Sequence, residues 1–322
     1  MSLGLALIAG AVEACVGYPD ALYRAIGHPV TWIGRLIAWV DERWNSEGES
    51  GPPQKLLGVM LMLALVTGGL LIGLVITRVC FAVLGPWLAL IPLAILTGSL
   101  LAQRSLHEHV EAVADALGKG LEQGREAVAM IVGRDTTSLD EAGVCRAAIE
   151  SLAESFCDGI AAPMFWIAVG GLPGGIAYKA INTADSMIGH KTDRYIDFGW
   201  AAARIDDVAN WPAARLAAVW LAAGAFFVPG ASPSKALTVA WRDAGKHDSP
   251  NAGWPEAAMA GALGLRLMGP RTYDGEMVQK GWMGDGRFAL KAADIRAALK
   301  LYRAACGVQL GVLAVLFGLT FL

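Results

Sequence analysis

Two adjacent carboxylates and a nearby amide form the strongest candidate metal site in this sequence. Asp206 and Asp207 are consecutive, and Asn210 follows one helical turn after Asp206. Mg²⁺ takes oxygen ligands and keeps several waters, so a few carboxylate and amide oxygens suit it. Asp185 precedes them in the same charged segment, residues 182–216, which holds five Asp and four Lys or Arg. We predict that Asp185, Asp206, Asp207 and Asn210 bind Mg²⁺; a solvated segment with helix-capping Asp residues is the alternative.

Cations in the same segment could balance the charge of a phosphate. Guanidinium groups bind phosphate through paired N–H donors, and lysine adds a compact positive charge. Asn182 adds an amide where the chain leaves an apolar stretch. The predicted phosphate- or substrate-binding residues here are Asn182, Lys191, Arg194 and Arg204, with Arg215 as a further cation.

A second group of carboxylates recurs every four residues. Glu150, Glu154 and Asp158, with Arg146 before them, have this spacing, which aligns them along one face of a helix. A salt-bridged surface would show the same pattern. Because this helix leads into the apolar stretch 160–181, its carboxylates could instead face a cleft at the membrane and bind a metal or an amine. We predict Glu150, Glu154 and Asp158 as catalytic groups.

A third polar group precedes another predicted helix. Ser249 and Asn251 come shortly before Pro255, which suits the first turn of a helix. The N-terminus of a helix presents free N–H groups, so these residues could bind an anion there. Ordinary turn and cap chemistry explains the same spacing equally well.

The elements that must position these groups are mainly apolar helices. The chain has 322 residues, of which 55% are hydrophobic, and a mean hydropathy of +0.47. These values are typical of an integral membrane protein. A spanning helix needs ~20 apolar residues, and the segments 1–16, 56–76, 79–101 and 306–322 meet or approach this length. We therefore predict an all-α polytopic membrane protein with about four spanning helices.

The positions of the positive charges predict a topology. With these four spans, every Lys and Arg except Arg78 lies on one side of the membrane, and the positive-inside rule makes that side cytoplasmic. The predicted organisation is 1–101, membrane helices with a cytoplasmic loop at 17–55; 102–305, a cytoplasmic or membrane-associated catalytic region; and 306–322, a last membrane helix.

Two apolar segments are interrupted by Gly and Pro. Residues 160–181 contain GGLPGG, and residues 212–228 run into PGASP. Either could be a helical hairpin that enters the membrane and returns, because breaks in the backbone are tolerated there where protein covers them. Residues 104–130 predict one or two amphipathic helices. Ser138 and Glu141 form a capping box that predicts a helix from Leu139.

Several classes of protein are disfavoured. A net charge of −3 gives no basic surface for nucleic acid. The five Cys form no C-x-x-C pair, so neither a zinc site nor a disulfide framework is indicated. The sequence has no Walker-type phosphate loop and no H-E-x-x-H.

Several long motifs, taken in order, resemble the adenosylcobinamide-phosphate synthase family, the CobD/CbiB proteins of cobalamin biosynthesis. They are GHPVTWIGRLI at 27–37, GRDT at 133–136, AYKAINTADSMIGHKTDRY at 177–195, FGWAAARIDDVANWPAARL at 198–216 and SPNAGWPEAAMAGALG at 249–264. The resemblance also places Arg134 and Asp135 among the expected substrate-binding residues. It covers nearly the whole chain, and so many motifs in order are more specific than any one of them.

The resemblance implies a multi-pass enzyme of the bacterial inner membrane whose site faces the cytoplasm. It would join the propionate carboxylate of a cobyric acid corrinoid to the amine of aminopropanol or its O-phosphate. The expected cosubstrate is ATP and the expected cofactor is Mg²⁺. The expected partners are the corrinoid, aminopropanol phosphate and the lipid bilayer, with no nucleic acid. A homo-oligomer or a complex with other cobalamin-pathway proteins is left open.

Two other classes of function remain alternatives. A corrinoid-binding membrane transporter would also have broken apolar segments beside charged residues. A regulatory inner-membrane protein of the AmpE type would not need the acidic motif of residues 206–210 or the polar motif of residues 249–256.

Overall fold

The computed structural model describes residues 1–18, 24, 27–45, 50–133, 135–273, 276–278 and 280–322, without the side chains of 271–279. The described part of the chain is mainly helical. Its helices are α1 Ser2–Val16, α2 Pro29–Trp44, α3 Pro52–Leu88, α4 Leu90–Gly98, α5 Gln103–Leu117, α6 Leu121–Ala129, α7 Glu141–Phe156, α8 Ala162–Ile188, α9 Trp200–Gly224, α10 Pro233–Asp243, α11 Gly253–Leu263 and α12 Ala292–Leu319.

Short irregular helices and strands connect these elements. A π-helical turn, Cys157–Ala161, joins α7 to α8, and 3₁₀ turns follow α9 and α10 at Ala225–Phe227 and Ala244–Lys246. The strands β1 Leu267–Met268 and β4 Trp282–Met283 pair antiparallel, as do β2 Arg271–Tyr273 and β3 Glu276–Val278.

The chain forms two compact units. Unit 1 contains residues 1–102, 162–210 and 313–322, and unit 2 contains residues 103–161 and 211–312. This division separates the predicted catalytic region, 102–305, into parts of both units. The helix α9 contributes its first part to unit 1 and its second part to unit 2.

Three helical segments are long and apolar enough to cross a membrane: Pro52–Leu88, Glu141–Ile188 and Ala292–Leu319. The helix α1, Ser2–Val16, is apolar but shorter. The predicted class, an all-α membrane protein, is therefore confirmed. Residues 212–228 belong to no helix that meets these criteria among the described residues.

The predicted break between the spans 56–76 and 79–101, which contains Arg78, is wrong. The helix α3 continues through Arg78 and breaks at Gly85, whose φ of 73° and ψ of 178° lie outside the helical range, with Pro86 next. The chain reverses at this break. The packing shows it, since side chains before the break contact the buried cluster that contains Leu93 and Ala94, namely Ile76, Cys80 and Phe81. A single arginine keeps its backbone N–H and does not break a helix, whereas glycine and proline can.

The GGLPGG segment forms a hairpin between two helical arms in unit 1. Gly171 has φ 64° and ψ −153° inside α8. A Cβ on Gly175 would lie 2.7 Å from the Ile167 side chain. Residues eight positions apart in a straight helix are ~12 Å apart, so the chain must turn back at Gly171. Of the two alternatives left open for residues 160–181, the structure has the hairpin, with its turn at Gly171.

The tip of this hairpin packs against the middle of α3. A Cβ on Gly73 would lie 2.5 Å from the Cα of Pro173, and one on Gly69 would lie 3.3 Å from the Cα of Ala177. Small residues allow this close approach of two backbones, as is common in membrane helix packing. The tip therefore lies beside the middle of α3 and not at either of its ends.

In unit 2, α5 and α6 confirm the prediction of amphipathic helices at residues 104–130. The predicted capping box is wrong by two residues, because α7 begins at Glu141 and its N-cap is Asp140. Asp140 Oδ1 accepts a hydrogen bond from the Gly143 N–H at 2.7 Å. Aspartate caps a helix as well as serine does, so the residue closest to the apolar run serves as the cap.

A buried carboxylate ties α10 to the β1–β4 pair. Asp243 is fully buried and accepts two hydrogen bonds from Arg242, at 2.8 and 2.6 Å, and one from the Gly284 N–H at 2.8 Å. Lys246 Nζ lies 2.7 Å from Asp243 Oδ1. This network connects α10 to the chain after β4, and it ends at Lys246, next to the segment 247–256 that contains predicted site residues.

Candidate functional site

The carboxylate of Asp206 is held by a chain of buried polar groups in unit 1. Asn210 Nδ2 donates to Asp206 Oδ2 at 2.9 Å, and Asn210 Oδ1 accepts from the Tyr178 hydroxyl at 2.8 Å. Asn210 and Tyr178 are each 1% exposed. The amide uses both of its ends to orient the carboxylate, so Asn210 has a positioning role in this structure.

The other carboxylates of the predicted metal set lie close by. Arg204 Nη2 is 3.0 Å from Asp207 Oδ2, one helical turn away on α9. Asp185 is half-buried near the end of α8, and a Cβ on Gly189 would collide with its Oδ1. The glycine therefore leaves the space that the Asp185 carboxylate occupies.

These acidic groups raise the pKa of Asp206. Its pKa is raised to about 7, first because the carboxyl is buried and then because the negative charges of Asp185 and Asp207 are near. The two charges act on Asp206 directly, so unit 1 brings three predicted metal ligands into one neighbourhood. A carboxyl with such a pKa can bind or release a proton near neutral pH.

One oxygen of this neighbourhood suits a cation. Asp206 Oδ1 is buried and has no donor at hydrogen-bond geometry among the described residues, although the Asn182 side chain lies close enough to Asp206 to lower its pKa. Among those residues, no group of three or more His, Cys, Asp or Glu side chains is arranged to enclose a metal ion. Mg²⁺ is usually held by only one or two carboxylates and retains waters for substrate phosphates, so the donor set fits Mg²⁺ and does not resemble a protein cage such as a zinc site.

A lysine that sequence reasoning missed lies beside this group. Lys179 Nζ is 3.3 Å from Asn182 Oδ1, which accepts its hydrogen bond. Both residues are on α8 and are buried or half-buried. The three-residue spacing of Lys179 and Asn182, one turn before Asp185, could have revealed this helix face.

The remaining basic residues of the segment differ in their surroundings. Arg194 Nη2 donates to Asp41 Oδ2 at 2.9 Å, and Asn45 Nδ2 donates to Asp41 Oδ1 and to the Arg194 carbonyl. The hydrogen bond to Asp41 raises the pKa of Arg194 above its ordinary value. Arg194 therefore anchors its loop to α2, whereas Lys191 is exposed.

The predicted catalytic carboxylates lie in unit 2 and are not equivalent. Glu150 is 5% exposed, and its Oε1 accepts a hydrogen bond from the Met268 N–H at 2.6 Å. Met268 has φ 59°, a conformation that non-glycine residues rarely adopt and that needs support. Glu150 supplies that support. Glu154 is exposed, and Asp158 is half-buried on the π-helical turn that follows.

Asp135 shapes its own loop. Its Oδ1 accepts hydrogen bonds from the N–H and the hydroxyl of Thr137, at 2.9 and 2.7 Å. The backbone hydrogen bond is the main reason that the pKa of Asp135 is lowered. Arg134, predicted to bind substrate, lies outside the described residues.

The polar residues before α11 form a tightly bonded turn in unit 2. Ser249 Oγ accepts from the N–H groups of Asn251 and Ala252, both at 3.2 Å. Asn251 Oδ1 accepts from Arg215 Nη1 at 2.7 Å. The structure thus joins two segments that the sequence separates, residues 211–216 and 249–254.

Two further polar residues of this turn were not predicted. His247 accepts a hydrogen bond from the Ser249 N–H on Nδ1, and its Nε2 lies 3.6 Å from the buried carboxylate of Glu256. The spacing of His247 and Glu256 gives no sequence signal, because the two meet only when the loop folds back on α11.

Comparisons with known proteins agree with this arrangement of motifs. The chain is 52% identical over 317 residues to a Cobalamin biosynthesis protein CobD of Sinorhizobium sp, covering 97% of each. It is 51% identical over 306 residues to that of Rhizobium meliloti, covering 94% of this chain and 93% of the relative. It is 48% identical over 320 residues to that of Rhodobacter capsulatus, covering 98% of each.

No solved structure matches the chain significantly. A family model described as CobD/Cbib protein matches residues 6–302. With matches of this extent, the chain belongs to the CobD/CbiB family of cobalamin biosynthesis proteins.

Proposed function

We propose that this membrane protein forms the amide bond between the carboxylate of a cobyric acid corrinoid and the amine of aminopropanol or its O-phosphate, using ATP. The observation that carries the proposal is the carboxylate of Asp206. It is held by Asn210 and leaves one buried oxygen that has no donor at hydrogen-bond geometry among the described residues. The chain belongs to a family of cobalamin biosynthesis proteins, which supports this reaction class.

The residues of unit 1 would hold Mg²⁺ and phosphate. Asp206 is the main candidate ligand, with Asp207 and Asp185 beside it. Bound Mg²⁺ would supply electrostatic stabilisation of the phosphates of ATP. Asn210 and Tyr178 would keep the Asp206 carboxylate in place, and Arg204 would remain close to Asp207 while offering its other N–H groups to a phosphate.

A proton must leave the amine when the amide forms. The nitrogen attacks the activated carboxyl carbon, phosphate or a nucleotide leaves, and the proton passes to a base. Of the three predicted carboxylates, Glu150 accepts a hydrogen bond from the Met268 N–H, Asp158 is half-buried and Glu154 is exposed. We assign the role of proton acceptor to Glu154, at its carboxylate oxygens.

The first experiment is a condensation assay. The protein, purified in mild detergent or nanodiscs, is incubated with adenosylcobyric acid, aminopropanol phosphate and Mg²⁺, with and without ATP. Mass spectrometry detects the condensed product. The proposal expects product only with ATP and a loss of more than a hundredfold in Asp207→Ala and Asp206→Asn, since removing a metal ligand abolishes most turnover.

A matched control comes from the same segment. Asp193 is exposed, so Asp193→Asn should keep full activity. Product without ATP would refute activation by ATP but would still support amide formation by this protein. No product from protein that still binds corrinoid would favour a transporter or a regulatory protein.

A further inference from the structure

A groove in unit 2 combines an apolar lining with one half-buried cation. Its volume is ≈ 590 Å³, within the ~300–1,000 Å³ that ligand sites occupy. Three helices form its walls. They contribute Arg215 and Val219 from α9, Leu237 and Trp241 from α10, and Trp254 from α11.

Arg215 is fixed in position at this groove. Its Nη1 donates to Asn251 Oδ1 at 2.7 Å and to the Trp211 carbonyl at 3.0 Å. The centre of its guanidinium group lies 4.7 Å from the Trp211 ring and 4.8 Å from the Trp254 ring. Both hydrogen bonds use Nη1, so Nε and Nη2 remain available to a ligand as far as the described contacts show.

The aromatic wall continues to an exposed side chain. Trp241 is 82% exposed, and its ring meets that of Trp254 edge to face, with the centroids 5.8 Å apart. The neighbouring Leu237, one turn earlier on α10, is 48% exposed. Apolar side chains left this open beside a fixed cation favour a ligand that is both large and polar at its edge.

A lipid chain is the competing occupant. It would need only the apolar wall and would gain nothing from an arginine that an amide and two tryptophans hold in place. Burial also lowers the pKa of Arg215, because the cation has lost part of its water, and a carboxylate or amide would replace that water. The fixed cation therefore favours a ligand with acceptor groups over an acyl chain.

Resting on the proposed function, we infer that this groove binds the corrinoid. Arg215 donates to a carboxylate or amide oxygen at the edge of the macrocycle, and Trp241 and Trp254 pack on its apolar surface. A corrinoid is large and rigid with amide and carboxylate groups at its rim, and an open groove can receive one such edge. Two segments that are 33 or more residues apart in the chain, 211–216 and 249–254, then serve one ligand.

The test measures binding and not turnover. The affinity of cyanocobyric acid is measured by equilibrium ultrafiltration with detergent-solubilised full-length protein. Trp241→Leu and Arg215→Gln should each weaken binding about tenfold, the size expected for a lost aromatic contact or a charged hydrogen bond. Trp241→Phe should recover most of the affinity. The control is Trp39→Leu, because Trp39 is 50% exposed and carries Arg43 over its ring at 4.2 Å in unit 1.

Each outcome separates the inference from the proposed function. Unchanged affinity in Trp241→Leu and Arg215→Gln, with condensation intact, would overturn the inference that the groove binds the corrinoid and would leave the proposed enzymatic function standing. Absence of corrinoid binding by the unmodified protein would overturn both. Quenching of tryptophan fluorescence by brominated phospholipid that decreases in Trp241→Leu but not in Trp39→Leu, with corrinoid affinity unchanged, would assign the groove to lipid.

Discussion

The Asn210 side chain joins Asp206 to the hydroxyl of Tyr178, with its nitrogen 2.9 Å from one carboxylate oxygen of Asp206. The nitrogen and the oxygen of the Asn210 amide each make one hydrogen bond within unit 1. Asn210 and Asp206 lie on consecutive turns of α9. This relationship makes Asn210 a positioning residue and leaves the second oxygen of Asp206 as the candidate ligand for a cation.

Replacing Asn210 should impair the metal site without unfolding the protein. In Asn210→Ala the Asp206 carboxylate loses the hydrogen bond from Asn210 to Oδ2, and we expect roughly 10–100-fold weaker Mg²⁺ activation, as for other groups that orient a ligand. The measurement is the Mg²⁺ concentration that gives half-maximal condensation. Tyr178→Phe removes only the outer hydrogen bond and should have a smaller effect in the same direction. Equal loss at saturating Mg²⁺, with no change in half-maximal concentration, would argue against positioning.

Binding of Mg²⁺ should depend on pH around neutrality. The pKa of Asp206 is raised to about 7 by burial and by the charges of Asp185 and Asp207, so a proton competes with the cation below that pH. The Mg²⁺-induced rise in melting temperature should therefore increase from pH 6 to pH 8. In Asp206→Asn this dependence should flatten. A shift that falls as pH rises would contradict the assignment.

Asp243 should stabilise unit 2 in a pH-dependent way. Hydrogen bonds from Arg242 hold its pKa below the ordinary value of 3.8. The unfolded chain then binds a proton at acidic pH that the folded chain does not. The stabilisation is present above about pH 4 and is lost as pH falls further. Asp243→Asn should lower the free energy of unfolding by roughly 2 kcal/mol at neutral pH; Asp285→Asn, which removes an exposed partner of Arg242, should cost far less. Thermal unfolding between pH 3 and pH 7 tests both.

The contact between α3 and the tip of the hairpin should tolerate no larger side chain. A Cβ on Gly73 would lie 2.5 Å from the Cα of Pro173, whereas one on Gly68 would meet nothing within 4 Å. Gly73→Leu should destabilise the protein by roughly 1–3 kcal/mol through overpacking, and Gly68→Leu should be close to neutral. The two melting temperatures are compared in the same detergent. Similar values for both variants would place the hairpin tip elsewhere.

Much of the fold follows from local composition. The apolar lengths predicted a helical membrane protein, and the Gly and Pro residues of GGLPGG predicted the hairpin, because few other residues allow such a reversal. Composition misplaced the break after the predicted span 56–76. The predicted spans 56–76 and 79–101 placed a break around residue 78, but the helix continues through it and breaks at Gly85, just before Pro86.

The site was predicted less completely because side-chain roles depend on distant partners. The acidic residues of segment 182–216 were identified from their types and spacing. The sequence could not show that Arg194 would pair with Asp41, or that Glu150 would accept a hydrogen bond from Met268. Each of these partners is more than a hundred residues away in the chain, beyond the range of any helical spacing.

The sequence by itself determined the class of protein, the helical hairpin and the residue types of the acidic cluster, since apolar length, glycine and charge act locally. Only the tertiary structure decided which groups are held, buried or left open. Tyr178 fixes Asn210, and Arg215 stands between Trp211 and Trp254, because helices from separate parts of the chain bring these side chains into contact. Burial and proximity then set the pKa of Asp206 and shape the groove, and neither quantity exists until the chain is packed.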